Sequence, residues 1–116
     1  MTRIDVRELE RMLASEAAPT IIDVRSHASR EREGVIPGAL HWSEEETADP
    51  LPDVDRDAEV VVYCACPNEV SAARVAQRLK RAGFVNVRPL HGGIDAWIAA
   101  GLPVERARET EEAQAS

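Results

Sequence analysis

Apolar positions along the chain change their period several times, and each change marks an element. Val6, Leu9, Met12 and Leu13 fall at helical spacing, which predicts a helix over Asp5 to Ser15 with Asp5 able to cap its start. Ala17 to Thr20 contains Pro19 and reads as a loop; Ile21-Ile22-Asp23-Val24-Arg25 is a β-branched run suited to a buried strand. The charged stretch Ser29-Arg30-Glu31-Arg32-Glu33 reads as a solvated loop or helical turn. Gly34 to His41 reads as turn, short strand, turn, and Glu44 to Arg56, acidic with two prolines, as a loop. Val60-Val61-Val62, within Ala58 to Cys64, is a continuous apolar run of the kind found in a central parallel strand covered on both faces.

From Ser71 to Ala82 the period returns to helical. Val75, Ala76 and Leu79 mark one face; Arg74, Gln77, Arg78 and Arg81 mark the other; Gly83 suits the end. Val85 to Leu90 reads as a strand, Gly92-Gly93 as a sharp turn, and Ile94 to Ala100 as a final helix stopped by Gly101. Strands alternating with helices imply an α/β fold with a parallel sheet and right-handed crossovers. A single domain over 1–104 is expected, with 105–116 a polar, flexible tail.

Composition narrows the function. The 116 residues suit one compact domain. Aromatics are only 3%, so the core must come from Val, Leu, Ile and Ala. A net charge of −7 argues against nucleic acid or an anionic membrane as a direct partner. No stretch approaches the roughly 20 apolar residues of a spanning helix, and two cysteines one residue apart do not resemble a disulfide framework. A reducing, cytoplasmic setting is the expectation.

The chemistry concentrates at Tyr63-Cys64-Ala65-Cys66-Pro67-Asn68-Glu69-Val70-Ser71. The order is strand, cysteine loop, helix. Functional groups in α/β sheets gather at the carboxyl ends of strands. A helix starting near Val70 or Ser71 aims its free N–H groups and positive dipole end at the loop, which favours a thiolate and any bound anion. The plain alternative is a core cysteine at a strand end. Zinc would need a second Cys/His pair at finger-like spacing, which is missing, so no metal or cofactor is expected. His41 and His91 read as polar residues near turns, or as proton carriers at the loop mouth.

Five segments in order resemble the rhodanese homology domain: Asp23-Val24-Arg25, Gly34-Val35-Ile36-Pro37-Gly38-Ala39, Val61-Val62-Tyr63-Cys64, Gly83-Phe84-Val85-Asn86-Val87 and Leu90-His91-Gly92-Gly93-Ile94-Asp95-Ala96-Trp97. The Cys-Ala-Cys-Pro-Asn-Glu loop also resembles rhodanese domains fused behind DedA-type membrane proteins. The resemblance implies a rhodanese-like α/β fold of about five parallel strands with helices on both faces. It also implies a sulfurtransferase. A catalytic thiolate takes a sulfane sulfur from thiosulfate or a persulfide-type donor and becomes a persulfide. A thiol, cyanide or protein thiol then removes that sulfur.

Carried over by position, Cys64 is the nucleophile, and Ala65, Cys66, Pro67, Asn68, Glu69, Val70 and Ser71 form the binding loop. Counting back from Gly83 without gaps points to Cys66 instead, which is otherwise a resolving thiol for Cys64. Asp23 and Arg25 are implied to hold neighbouring loops. Gly92 and Gly93 are implied to shape a turn, with Trp97 a packing residue. The chain departs from the family pattern in having Val35 where a histidine usually precedes Ile-Pro-Gly-Ala. It also has Glu69, and no cation, between Cys64 and Ser71, which leaves Arg74 or Arg25 to offset the charge of a bound anion. The missing loop cation also admits a second reading, a non-catalytic or redox-sensing module that binds a protein partner. A phosphatase would need an arginine in that loop.

Overall fold

The computed structural model describes residues 2–43, 54–65 and 70–107. In chain order the elements are α1 (Val6–Leu13), β1 (Thr20–Asp23), α2 (His27–Glu33), β2 (Leu40–His41), β3 (Glu59–Tyr63), α3 (Val70–Arg81), β4 (Asn86–Pro89) and α4 (Gly93–Ala99). All sheet pairings are parallel, in the order β2-β1-β3-β4, with Ile22 opposite Val62 and Val61 opposite Arg88.

The valine run sits where a doubly covered strand belongs. Successive side chains of a strand point to opposite faces. Val60, Val62 and then Cys64 join Ile22 and Val24 under Ala72, Val75, Ala76 and Leu79 of α3. Val61 and Tyr63 join Ile21 on the other face, under Val6 and Leu9 of α1 and Ile94 and Trp97 of α4. Each fully buried Val or Leu of this kind stabilises the fold by about 1.5–3 kcal/mol. Asp5 caps α1 by accepting from the Glu8 N–H at 2.8 Å. No helix among the described residues is long and apolar enough to cross a membrane.

Three finer expectations change. The parallel sheet itself is as expected, with four strands among the described residues. Ile4 continues it as a single parallel bridge to Leu90, with the Ile4 N–H donating to the Pro89 carbonyl at 3.0 Å. Asp5 then turns the chain into α1, so no ladder follows. The short strand expected within Gly34 to His41 is confined to its last two residues. Ahead of them, the Ile36 N–H is taken by the Tyr63 hydroxyl at 3.1 Å and Pro37 has no N–H to give.

The charged stretch is the helix α2, capped by the Ser26 hydroxyl, and its Arg30 is buried rather than solvated. Lastly, Glu105 is not free. Its N–H and carbonyl exchange two 2.8 Å hydrogen bonds with Val35 in an antiparallel bridge. The remainder of the expected tail beyond Ala107, like the acidic loop at 44–53, lies outside the described residues.

Candidate active site

Cys64 is the first residue after β3, and its backbone is clamped from the neighbouring turn. The Cys64 carbonyl accepts from the Ile94 N–H at 3.1 Å. Gly93, with φ of 58°, packs against that same carbonyl so closely that a β-carbon there would collide with it. Gly92-Gly93 is thus a tight turn, as expected, and it also seats the cysteine.

Gly93→Ala is accordingly expected to lose at least about 2 kcal/mol, from the left-handed backbone together with the collision. Gly101 has φ of 78° and open space around it, so Gly101→Ala should lose only about 1 kcal/mol. Urea unfolding of both variants checks this. Equal losses would mean that the Cys64 contact contributes nothing.

The Cys64 side chain lies on the α3 side of the sheet, at the wall of a pocket of about 410 Å³. Ala65, Ser71, Arg74 and Val75 continue that wall. Val24, Arg25, Ser26 and Ser29 line it from the β1–α2 segment, with Arg32, Glu33 and Ser43 completing it. Cys64 is only 1% exposed, so a reagent reaches it through this pocket. Ser71 brings the first turn of α3 to the same pocket. The unsatisfied N–H groups and positive dipole end of such a turn favour an anion.

Beneath the pocket, Asp23 is fully buried and gathers donors from three elements. The Arg25 backbone N–H and Nε donate to its Oδ1 at 3.0 Å each. Arg25 Nη2 donates to Oδ2 at 2.8 Å, Arg30 Nε at 3.3 Å, and the Tyr63 hydroxyl at 2.7 Å. Arg25 also donates to the Gly34 carbonyl at 2.7 Å and to Glu33 at 3.2 Å, tying the C-terminal end of α2 back to the segment that follows β1. Burial alone would push the Asp23 carboxyl up. The hydrogen bonds and charge of Arg25, aided by Tyr63, outweigh it and hold Asp23 below the usual carboxylate range. Burial, reinforced by the Asp23 charge, pushes the Tyr63 phenol well above its ordinary value, so it stays a neutral donor. Arg25, despite its burial, is raised by Asp23 and stays charged.

The structure brings Cys64, Ala65, Ser71, Arg74 and Arg25 to one pocket, with Asp23 directly behind Arg25. Val70 is exposed at the start of α3. Cys66, Pro67, Asn68 and Glu69 lie outside the described residues, and with them the relation of Cys66 to Cys64 and the orientation of Glu69. His41 and His91 are not among the pocket's lining residues. His41 Nε2 is 2.7 Å from the Arg25 carbonyl, and burial, with the Arg30 charge, pushes its imidazole down toward the neutral form.

Three residues were not singled out from sequence. Arg30 and Tyr63 complete the Asp23 network, and Arg32 lines the pocket. The one available signal was Ser26, a good helix cap ahead of a charged run.

This geometry has known counterparts. The rhodanese-like domain family model matches residues 5–100. A protein named sulfurtransferase from Allochromatium vinosum is 32% identical over 107 residues, covering 90% of this chain and 94% of that one. A protein named thiosulfate sulfurtransferase GlpE from Actinobacillus pleuropneumoniae is 32% identical, covering 91% and 94%. A protein named HTH-type transcriptional regulator from Mycobacterium tuberculosis is 36% identical over 89 residues; the match spans 74% of this chain but only 37% of that one. Among solved structures, the Alr3790 protein from Anabaena sp. superposes with a TM-score of 0.81 at 29% identity, covering 96% of this chain and 87% of its own. A rhodanese-related protein from Thermoplasma volcanium gives 0.73 at 27% identity, covering 90% and 97%. With a strand-end cysteine at a pocket, a parallel sheet between two helical layers and these relatives, the chain belongs to the rhodanese-like domain family.

Proposed function

We propose that this protein is a sulfurtransferase that carries a sulfane sulfur as a persulfide on Cys64. The carrying observation is the seat of Cys64: at the carboxyl end of β3, on a pocket bordered by the first turn of α3. The Cys64 thiolate attacks the outer sulfur of thiosulfate. The donor S–S bond breaks, sulfite leaves with its electron pair, and Cys64 becomes Cys–S–S⁻. The α3 N-terminus favours this anion. Cyanide, a small thiol or a protein thiol then takes the outer sulfur, and the Cys64 thiolate is restored. The similarity to named sulfurtransferases along nearly their whole length supports this reading.

Mixing the protein with thiosulfate and cyanide is expected to produce thiocyanate, with saturation in both substrates. The similarity to part of a transcriptional regulator supports a second reading, a non-catalytic regulatory module that binds a protein partner. That reading predicts no thiocyanate turnover and slow alkylation of Cys64 at neutral pH.

A further inference from the structure

The Cys64 pocket is held from a part of the chain that does not line it. Residues 102–105 follow α4 and cross to the turn after α2. At one end, the Leu102 N–H donates to the Trp97 carbonyl at 3.3 Å, and Trp97 Nε1 donates to the Pro103 carbonyl at 2.8 Å. At the other end, Glu105 and Val35 exchange their two 2.8 Å bonds. Val104 packs beside Gly34, where a β-carbon would sit 3.0 Å from Val104 Cγ2. Pro103 and Glu105 are exposed and Val104 is 40% exposed, so burial contributes little to the order of this segment. Its hydrogen bonds hold it in place.

Both anchors lead to the pocket. Gly34, next to the Val35 anchor, accepts from Arg25 Nη2 at 2.7 Å, and Arg25 lines the pocket. Trp97 lies one turn after Ile94 on α4, and the Ile94 N–H holds the Cys64 carbonyl. The segment therefore bridges a wall of the pocket and the seat of its cysteine. We propose that residues 102–105 form a strap that positions the Cys64 pocket, with Glu105 and Trp97 as its positioning residues. None of the strap lines the pocket, so it acts through Gly34 and Arg25 on one side and through α4 on the other. Val35, which stands where the resemblance leads one to expect a histidine, supplies the backbone N–H and carbonyl of the anchor. The proposal rests on Cys64 as the reacting group only for its activity readout.

The test uses full-length variants. Glu105→Pro removes the N–H that donates to Val35 and leaves every pocket-lining side chain in place. Amide exchange at Arg25 and Ile94 should quicken about fivefold relative to the β3 amides, and KM for thiosulfate should rise about threefold with kcat nearly unchanged. Trp97→Phe keeps an aromatic ring but removes the Nε1 donor. It should shift the same exchange ratio and KM, and it carries the comparison if Glu105→Pro does not fold. Asp5→Ala removes the α1 cap, which lowers stability without touching the strap's bonds. It should leave the ratio and KM at their wild-type values. An unchanged ratio in either folded strap variant, a changed ratio with unchanged KM, or the same changes in Asp5→Ala would overturn the proposal while leaving Cys64 as sulfur carrier. Absence of thiosulfate turnover by the wild type would count against the sulfurtransferase reading instead, and the exchange ratio would then decide the strap by itself.

Discussion

Cys64→Ser is expected to lower thiocyanate formation by about a thousandfold or more, with the fold intact. The hydroxyl is nearly isosteric with the thiol, but it is not ionised at neutral pH and has no persulfide counterpart. The substitution puts a hydroxyl at a site only 1% exposed, among apolar neighbours from β1, β3 and α3. Even a buried hydroxyl that found no partner would cost only about 1–3 kcal/mol, which a domain stable by about 5–15 kcal/mol tolerates. A thermal melt run beside the assay separates lost chemistry from lost structure. Cys66→Ser is the companion. If Cys64 carries the sulfur alone, Cys66→Ser keeps turnover; if Cys66 is the nucleophile, the two variants exchange phenotypes.

Asp23→Ala should produce the largest loss of stability, about 3–5 kcal/mol. The carboxylate is the shared acceptor of two arginines and a tyrosine, all packed away from water. Removing it takes the shared buried acceptor from the Arg25 and Arg30 charges, with half-buried Glu33 still beside Arg25, and takes the acceptor from Tyr63. The damage reaches the site, because Arg25 lines the pocket and ties Gly34 and Glu33 to β1. The urea midpoint measures the effect, and a loss below about 1 kcal/mol would contradict it.

The same carboxyl sets the acid limit. Its pKa in the fold lies below its ordinary value, so its contribution is fully present above about pH 4, where the unfolded chain titrates, and is lost as pH falls through the lower folded value. Asp23→Asn should therefore flatten the decline of stability below about pH 4.

The core was legible in the sequence because it follows simple periods. Val60-Val61-Val62 could be read as doubly covered, and Val75, Ala76 and Leu79 as one helix face; both hold. The cysteine's strand-end position was equally plain, since it follows from the order strand, loop, helix. What the sequence hid was pairing that depends on three-dimensional neighbours. Arg30 looks solvated in a run of charges, yet it is buried because Asp23 waits on the adjacent strand end. Tyr63 looks like one more strand residue, but its hydroxyl bridges Asp23 and the Ile36 N–H. Arg32 gave no local signal, because the pocket it lines forms only when α2 folds back beside the Cys64 loop. The Ile4 bridge was hidden for a different reason: Asp5 caps α1 so early that only Ile4 can pair with Leu90.

The most direct measurement is the intact mass of the protein after treatment with a sulfur donor, followed by fragmentation of the modified peptide. The expected result is a gain of one sulfur atom on Cys64, removed by cyanide with release of thiocyanate. No gain with thiosulfate, polysulfide or mercaptopyruvate, or a sulfur found on Cys66 alone, would contradict Cys64 as the sulfur carrier.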